Sequence, residues 1–374
     1  MQKEIYQVTS LRFFAALHVF LFHLQIYWHI SKIPGIGRFL MEGACSMGLF
    51  FILSGFVLGY RFHQGVSNYR NYLFSRLTRI YPVYILAALV TIPWLVISLT
   101  PYESNLMLLK YLFVIFTNIL MIQAWMPQLF NIWNGGSWSI SVEMFFYVLF
   151  PFLVNHIKTL TNKQLFTALP VLYLSASIPG ISWILFTNNA NNIMFYSIPI
   201  FRVSEFIIGL ICGLLFARGV RVPRANFICF CCFIIGFIYL ALGPSFGFSF
   251  VTNNFIMVPL YASLIFSAAS LSSGFLYKLL TQNTLVYLGR ISYSFYSFQA
   301  LVLMTLLTKY NFIVNKFPLM INPYALGIIS FLSLTIIASI SYYFIENKFR
   351  KYLMARFKNR PGSYNGSVGV LTPS

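Results

Sequence analysis

The sequence predicts an all-α protein, a polytopic membrane bundle of about ten transmembrane helices plus one re-entrant or non-spanning segment. Two observations lead to this fold class. Of the 374 residues, 59% are hydrophobic and only 8% are charged, whereas a soluble domain has about a quarter charged residues. Apolar runs of about 20 residues, the length a helix needs to cross a bilayer, also recur along the whole chain.

The charges between the apolar segments predict the topology. The candidate segments are 8–29, 43–62, 78–99, 106–124, 138–155, 165–186, 196–216, 226–243, 251–271, 288–308 and 324–346. Basic clusters, which are expected on the cytoplasmic side, lie at 70–79, 158–163, 218–224 and 348–360. If the third span ends outside near Pro101, only one crossing fits before Lys158, so 106–124 is predicted not to span. Both termini are then cytoplasmic, and the expected location is a bacterial inner (plasma) membrane.

The same topology accounts for the net charge of +19. It places 18 of the 25 Lys and Arg residues on the inner side, so nucleic acid is not needed as a partner. The five cysteines show no metal-ligand spacing, and no metal is expected. Residues 1–350 are predicted to form one membrane domain, and residues 351–374 a short basic, disordered cytoplasmic tail.

Arg12 and His23 give the strongest indication of function. They lie eleven residues apart in an apolar stretch, so on a helix both project from nearly the same face, ~16 Å apart along the axis. Ionisable residues inside a membrane span are costly and usually functional. His23 is therefore predicted to act as a general base. His18, about 140° away around the helix, is expected to be structural.

Glu143 is the second catalytic candidate. Residue counts from the ends of the two spans place His23 and Glu143 at comparable depth. A carboxylate in contact with the imidazole would orient it and stabilise its charged form. The alternative is a buried polar pair with a structural role alone.

Arg76 and Arg79 open the predicted third span, on the cytoplasmic side. Arginines three residues apart share a helical face, and guanidinium groups near a helix N-terminus can bind phosphate through two hydrogen bonds. Together with Arg12 they would form a cationic patch suited to an anionic cytoplasmic donor such as a nucleotide or coenzyme A. The alternative is that they only anchor the helix at the membrane surface.

Other polar residues in the spans have simpler interpretations. Arg202 and Glu205, three residues apart, are expected to neutralise each other. Arg290 and Glu346 lie near the inner boundary and are predicted to pair between helices. The small residues between Gly48 and Phe56 suit close helix packing.

Several motifs, in this order, resemble the acyltransferase-3 family of integral membrane acyltransferases. They are Arg12-x10-His23, Phe50-Phe51-x-Leu-Ser-Gly-Phe56, Arg76-x-x-Arg79-Ile-Tyr-Pro82, Trp138-Ser-x-x-x-Glu143-x-x-Phe-Tyr147, Leu288-Gly-Arg-Ile-Ser-Tyr-Ser-Phe-Tyr296 and Phe344-Ile-Glu346. The resemblance covers residues from about 7 to 350. The chain departs from the pattern at Gln299, where many relatives have histidine, and at Asn347-Lys348, where proline is common.

The resemblance implies ten spans, acyl-CoA as a cytoplasmic donor, and transfer of an acyl group to a hydroxyl, usually on a sugar. It also implies that His23 and the arginines Arg12, Arg76 and Arg79 are functional. The predicted activity is O-acetylation, with acetyl-CoA as co-substrate. The predicted acceptor is lipopolysaccharide O-antigen or another lipid-linked or surface polysaccharide. Two alternatives remain: acylation of a small glycosylated metabolite such as a macrolide, and a proton-coupled transporter that uses Arg12, His23 and Glu143.

Overall fold

The computed structural model of the protein describes residues 3–99, 107–187, 193–243 and 250–358, and every regular element in these ranges is helical. The α-helices are α1 (Tyr6–Trp28), α2 (Pro34–Met41), α3 (Ser46–Arg61), α4 (Tyr69–Val90), α5 (Ile92–Leu99), α6 (Met107–Ile119), α7 (Trp138–Ile157), α8 (Asn162–Thr187), α9 (Met194–Ser197), α10 (Pro199–Ala217), α11 (Ala225–Leu242), α12 (Phe250–Ser270), α13 (Phe275–Leu280), α14 (Asn283–Lys316), α15 (Pro323–Ser341) and α16 (Arg350–Lys358). A π-helical stretch, Tyr342–Phe349, joins α15 to α16.

The described helices confirm the polytopic bundle. Nine helical segments in the described ranges are long and apolar enough to cross a membrane. They overlap nine of the ten predicted crossings, and the tenth, 251–271, corresponds to α12. The predicted outer loop near Pro101 lies outside the described residues. The predicted tail is helical as far as Lys358, and its remainder lies outside the described residues as well.

The segment predicted not to span contains only a short helix. At 13 residues α6 is ~20 Å long, too short for a hydrocarbon core of about 30 Å. One of its faces is buried through Val114, Thr117 and Asn118, whereas Leu108 and Leu112 are exposed. Tyr84 on α4 donates a hydrogen bond to the carbonyl of Asn118 (2.7 Å). The helix is therefore attached to the side of α4.

The third crossing differs from its predicted position. It was expected at 78–99, but α4 begins at Tyr69 because Asn68 caps it, accepting a hydrogen bond from the Asn71 amide (2.9 Å). The helix ends at Val90. Arg76 and Arg79 therefore lie about two turns inside the helix instead of at its start, and a helix N-terminus is not available to them.

Helices α3 and α10 form the tightest contact in the bundle. A Cβ added at Gly55 would lie 2.0 Å from the Phe206 carbonyl, and one added at Gly213 would lie 2.1 Å from the Phe56 carbonyl. Both helices place glycines four residues apart, Gly55 with Gly59 and Gly209 with Gly213. Such spacing lets two backbones touch, which confirms the predicted packing role of the small residues in α3.

Helices α1 and α14 run side by side in the same direction. Near the start of both, a Cβ added at Gly289 would lie 2.1 Å from the Thr9 carbonyl. Further along, the rings of Phe20 and Phe295 have centroids 5.6 Å apart. Positions on the two helices can therefore be compared by level. The end of the bundle where α1 begins and α16 lies is called the basic end below, and the opposite end is called the far end.

Candidate active site

The three arginines predicted to form a patch are brought together. Arg76 on α4 is only 3% exposed. Arg79 lies one turn further along α4, and its charge interacts with those of Arg76 and Arg12. The fold therefore brings Arg12 of α1 close to Arg76 and Arg79 of α4, although they are 64 or more residues apart in sequence.

Two further arginines complete this group. Arg61, the last residue of α3, interacts electrostatically with Arg76 and Arg79. Arg350, the first residue of α16, interacts with Arg61, Arg76 and Arg79. The sequence predicted only a cytoplasmic position for Arg61 and Arg350, as part of the Lys and Arg residues on the inner side. The five residues Arg12, Arg61, Arg76, Arg79 and Arg350 are called the arginine cluster below.

Two carboxylates lie within the cluster. Glu346, 8% exposed, accepts a hydrogen bond from Ser294 (2.5 Å) and interacts electrostatically with Arg79 and Arg350. The second is Glu143, which interacts with Arg12. Glu4, which is paired with Arg290, also acts on Arg12. Among the described residues, five positive charges thus meet three negative ones, which leaves the cluster positively charged and suited to an anion.

The predicted pair between Arg290 and Glu346 is wrong. Arg290 forms an ion pair with Glu4 instead (2.8 Å), and Glu346 turns towards α14 and the arginine cluster. Both residues do lie near the basic end. Counting residues along a helix predicts the depth of a side chain in the bundle but not the direction in which it points. The predicted neutralisation of Arg202 by Glu205 is confirmed by an ion pair of 2.8 Å.

Glu143 lies at the level of the arginines and does not contact His23. Its carboxylate accepts hydrogen bonds from Ser54 (2.9 Å) and Tyr147. The predicted contact with His23 is therefore wrong. The reason is that α7 begins inside the bundle: Trp138, its first residue, is 3% exposed, so five residues further on the chain is already deep.

His23 lies further towards the far end. It is partly buried, and the structure records no hydrogen bond to its ring from any described residue. Val19, one turn earlier on the same face, is buried in one cluster with Trp138 and Tyr296. The imidazole therefore lies about one turn beyond Val19, ~16 Å from Arg12 along α1.

His18 shows what a structural histidine looks like in this bundle. Its Nε2 donates to the Phe39 carbonyl (2.7 Å), because a carbonyl can only accept, and its Nδ1 accepts from Ser46 (2.8 Å). The ring also stacks on Phe39, with centroids 4.4 Å apart. Both nitrogens are engaged, in contrast to those of His23.

Polar groups from α7 and α14 lie between the levels of Glu143 and His23. Tyr296 donates a hydrogen bond to the Gly136 carbonyl (2.5 Å), and its hydroxyl pairs with that of Ser139 (2.8 Å). From the basic end, the order is therefore the arginine cluster with Glu143, then Tyr296 and Ser139, then His23. Within the described ranges, no group of three or more His, Cys, Asp or Glu side chains is placed to hold a metal ion.

Comparison with known proteins identifies the family. A model of the acyltransferase-3 family, described as an acyltransferase domain, matches residues 5–344. The chain belongs to the acyltransferase-3 family. Its described helices long and apolar enough to cross a membrane fit a multi-pass membrane protein of this family, and the family favours acyl transfer over the transporter alternative.

Two acyltransferase relatives are similar to the chain in sequence. The chain is 26% identical to acyltransferase MdmB of Streptomyces mycarofaciens over 230 residues, 57% of this chain and 58% of that protein. It therefore spans somewhat more than half the length of this relative. It is 25% identical to putative acetyltransferase ORF330 of Acidianus two-tailed virus over 301 residues, 79% of this chain and 82% of that protein. No solved structure matches the chain.

Proposed function

We propose that this acyltransferase moves an acetyl group from cytoplasmic acetyl-CoA to a sugar hydroxyl of a surface or exported glycan, such as lipopolysaccharide O-antigen. One observation carries the proposal. The bundle holds an arginine cluster with excess positive charge at its basic end, and His23 lies on the same face of α1 as Arg12, towards the far end. The basic end is cytoplasmic in this proposal, as the distribution of Lys and Arg favours.

The arginine cluster supports binding of coenzyme A through its phosphates. Guanidinium groups bind phosphate oxygens through two parallel hydrogen bonds, and a partly buried position strengthens them. Arg76 is nearly fully buried, and the cluster lacks enough carboxylates to neutralise it. The flexible pantetheine arm separates the phosphates from the thioester, so the acyl group can extend from the cluster towards His23.

His23 is proposed as the general base. As the acceptor oxygen bonds to the acyl carbon, a ring nitrogen takes the hydroxyl proton and the carbon–sulfur bond breaks. The coenzyme leaves as a thiolate and then takes up the proton from the imidazolium, which regenerates His23. A ring without protein partners is free to accept that proton.

Glu143 is proposed as a positioning residue and not as a partner of His23. Ser54 and Tyr147 fix its carboxylate on one side, and the charges of Arg12 and Arg79 attract it on the other. It would hold these two guanidinium groups in the orientation that the phosphates need.

The acceptor class is tested in cells. We compare a strain lacking the gene with strains complemented by the wild-type chain or by His23→Gln, and follow 13C-acetate into envelope glycans by mass spectrometry. Wild type should restore labelled acetyl groups on glycan. His23→Gln should reduce labelling by ~10²–10⁴-fold, the usual contribution of a general base, at unchanged protein levels.

The matched control is His156→Gln, the same change at an exposed histidine in the last turn of α7. It should label glycan like wild type. Labelling of a small glycosylated metabolite instead of glycan would favour the second acceptor class, which uses the same residues. Wild-type labelling by His23→Gln would overturn the assignment of His23.

A further inference from the structure

Gln299 is a buried amide for which the structure supplies no partner. It lies on α14, is only 1% exposed, and neither Oε1 nor Nε2 has a hydrogen-bond partner. A buried carboxamide left unpaired destabilises a fold, because its hydration is lost without replacement. Leucine or methionine would fill the same space without that cost. A polar side chain at this position therefore suggests a role other than stability.

The surroundings of Gln299 leave room at one specific point. Gly136 approaches from the loop before α7, with φ +96°. A Cβ built on Gly136 would lie 3.6 Å from Gln299 Nε2 and 3.2 Å from the Tyr296 hydroxyl. Any other residue would place its side chain against both polar groups. The glycine, which the positive φ also favours, adds no side chain against the amide or the phenol.

Gln299 lies about one turn nearer the basic end than His23. Gly289 packs against Thr9, so on the two parallel helices Gln299 is ~15 Å beyond that contact and His23 is ~21 Å beyond it. The ring of Phe295 lies between those of Phe13 and Phe20, with centroids 6.4 and 5.6 Å away, which agrees with this register. The unpaired amide and the unpaired imidazole are thus about one helical turn apart along two adjacent helices.

We propose that Gln299, with Tyr296 and Gly136 beside it, binds the acceptor as a neutral, hydroxyl-bearing group and presents one hydroxyl to His23. This inference rests on the proposed acyl transfer. A carboxamide donates through Nε2 and accepts through Oε1, which matches neighbouring sugar hydroxyls that both donate and accept. Gln299 and Tyr296 are both neutral hydrogen-bonding groups, which suits uncharged sugar positions.

The test uses membrane vesicles of the gene-deleted strain that carry each full-length variant and their native acceptors. [14C]Acetyl-CoA is added, and label transferred to glycan is measured at saturating donor. Gln299→Leu and Gln299→Met should each reduce transfer at least tenfold. Because they remove an unpaired buried amide, neither should lower the thermal unfolding midpoint. The rise in that midpoint on adding coenzyme A should remain as in wild type.

Gln299→His provides a rescue, since imidazole can also donate one hydrogen bond and accept another. It should keep at least half of the wild-type transfer. The matched control is Gln7→Leu, in which a buried glutamine that does have a partner, the Leu271 carbonyl at 3.1 Å, is changed in the same way. That variant should lower the unfolding midpoint and leave the transfer rate per folded protein unchanged.

The outcomes separate this inference from the proposed function. If wild-type vesicles transfer no label to glycan, the proposed function fails. If they do, and Gln299→Leu or Gln299→Met transfers at the wild-type rate, the acceptor role of Gln299 is overturned. A lower unfolding midpoint in both variants would also overturn it, because Gln299 would then be stabilising the fold.

Discussion

The two ends of the candidate site differ in how their polar groups are satisfied. At the basic end, the arginine cluster and its carboxylates interact with one another, and Glu143 and Glu346 accept hydrogen bonds from hydroxyls. Towards the far end, the described side chains leave His23 and Gln299 without hydrogen-bond partners. Charge thus dominates one end, and unpaired neutral groups the other.

This difference indicates how one bundle can handle two unlike substrates. In the proposed function, an anionic donor is bound by charges that remain in place without it, because neighbouring carboxylates and hydroxyls orient them. A neutral acceptor offers no charge, so groups that bind it must be left unpaired by the protein. Mutations at the two ends should therefore affect donor and acceptor separately, and the following changes test that separation.

The largest effect at the basic end is expected from Arg79→Met. Arg79 interacts with Arg12, Arg76, Glu143 and Glu346, so its loss would remove a central group of the proposed phosphate site. A hydrogen bond to a charged group contributes about 1.5–3 kcal/mol, so the KM for acetyl-CoA should rise ~10–100-fold. Steady-state kinetics in vesicles measures it.

Arg218→Met is the matched control for Arg79→Met. Arg218 is exposed and donates to the carbonyls of Leu160 and Lys158, at 2.8 and 2.7 Å, outside the arginine cluster. Its loss should leave the KM for acetyl-CoA within twofold of wild type. A donor KM unchanged in Arg79→Met would remove the cluster from donor binding.

An intermediate effect is expected from Arg61→Met and Arg350→Met, the two members of the cluster that sequence reasoning missed. Each lies at its border and is less buried than Arg76, so solvent weakens its attraction for phosphate. The KM for acetyl-CoA should rise ~3–10-fold, and more at low than at high salt. A loss that did not depend on salt would contradict an electrostatic role.

The smallest effect is expected from Glu143→Gln. The amide oxygen can still accept from Ser54 and Tyr147, whereas one negative charge leaves the cluster. Weaker positioning of Arg12 and Arg79 and stronger attraction for phosphate should then oppose each other, so the KM for acetyl-CoA and kcat should each remain within about threefold of wild type. A kcat loss as large as that of His23→Gln would contradict this role. It would indicate that Glu143 acts directly on His23, a contact that the structure does not show.

Much of the fold was predictable from local composition. The positions of the crossings follow from apolar length, and the short 106–124 segment from the charges around it. The level of Glu143 was not predictable, because its prediction assumed that α7 starts at the membrane surface. The helix begins inside the bundle instead, at Trp138. There Ser141 donates a hydrogen bond to the Met121 carbonyl (2.6 Å), which connects the preceding loop to the helix.

The sequence by itself determined that this protein is a membrane bundle in which Arg12 and His23 share a helical face, because hydropathy and helical period act within one segment. Only the tertiary structure decided which side chains meet across helices. It added Arg61 and Arg350 to the arginines, turned Glu143 towards them, and left Gln299 unpaired beside Gly136. These contacts depend on where helices start, how they are offset and which backbones touch, and no single segment encodes that.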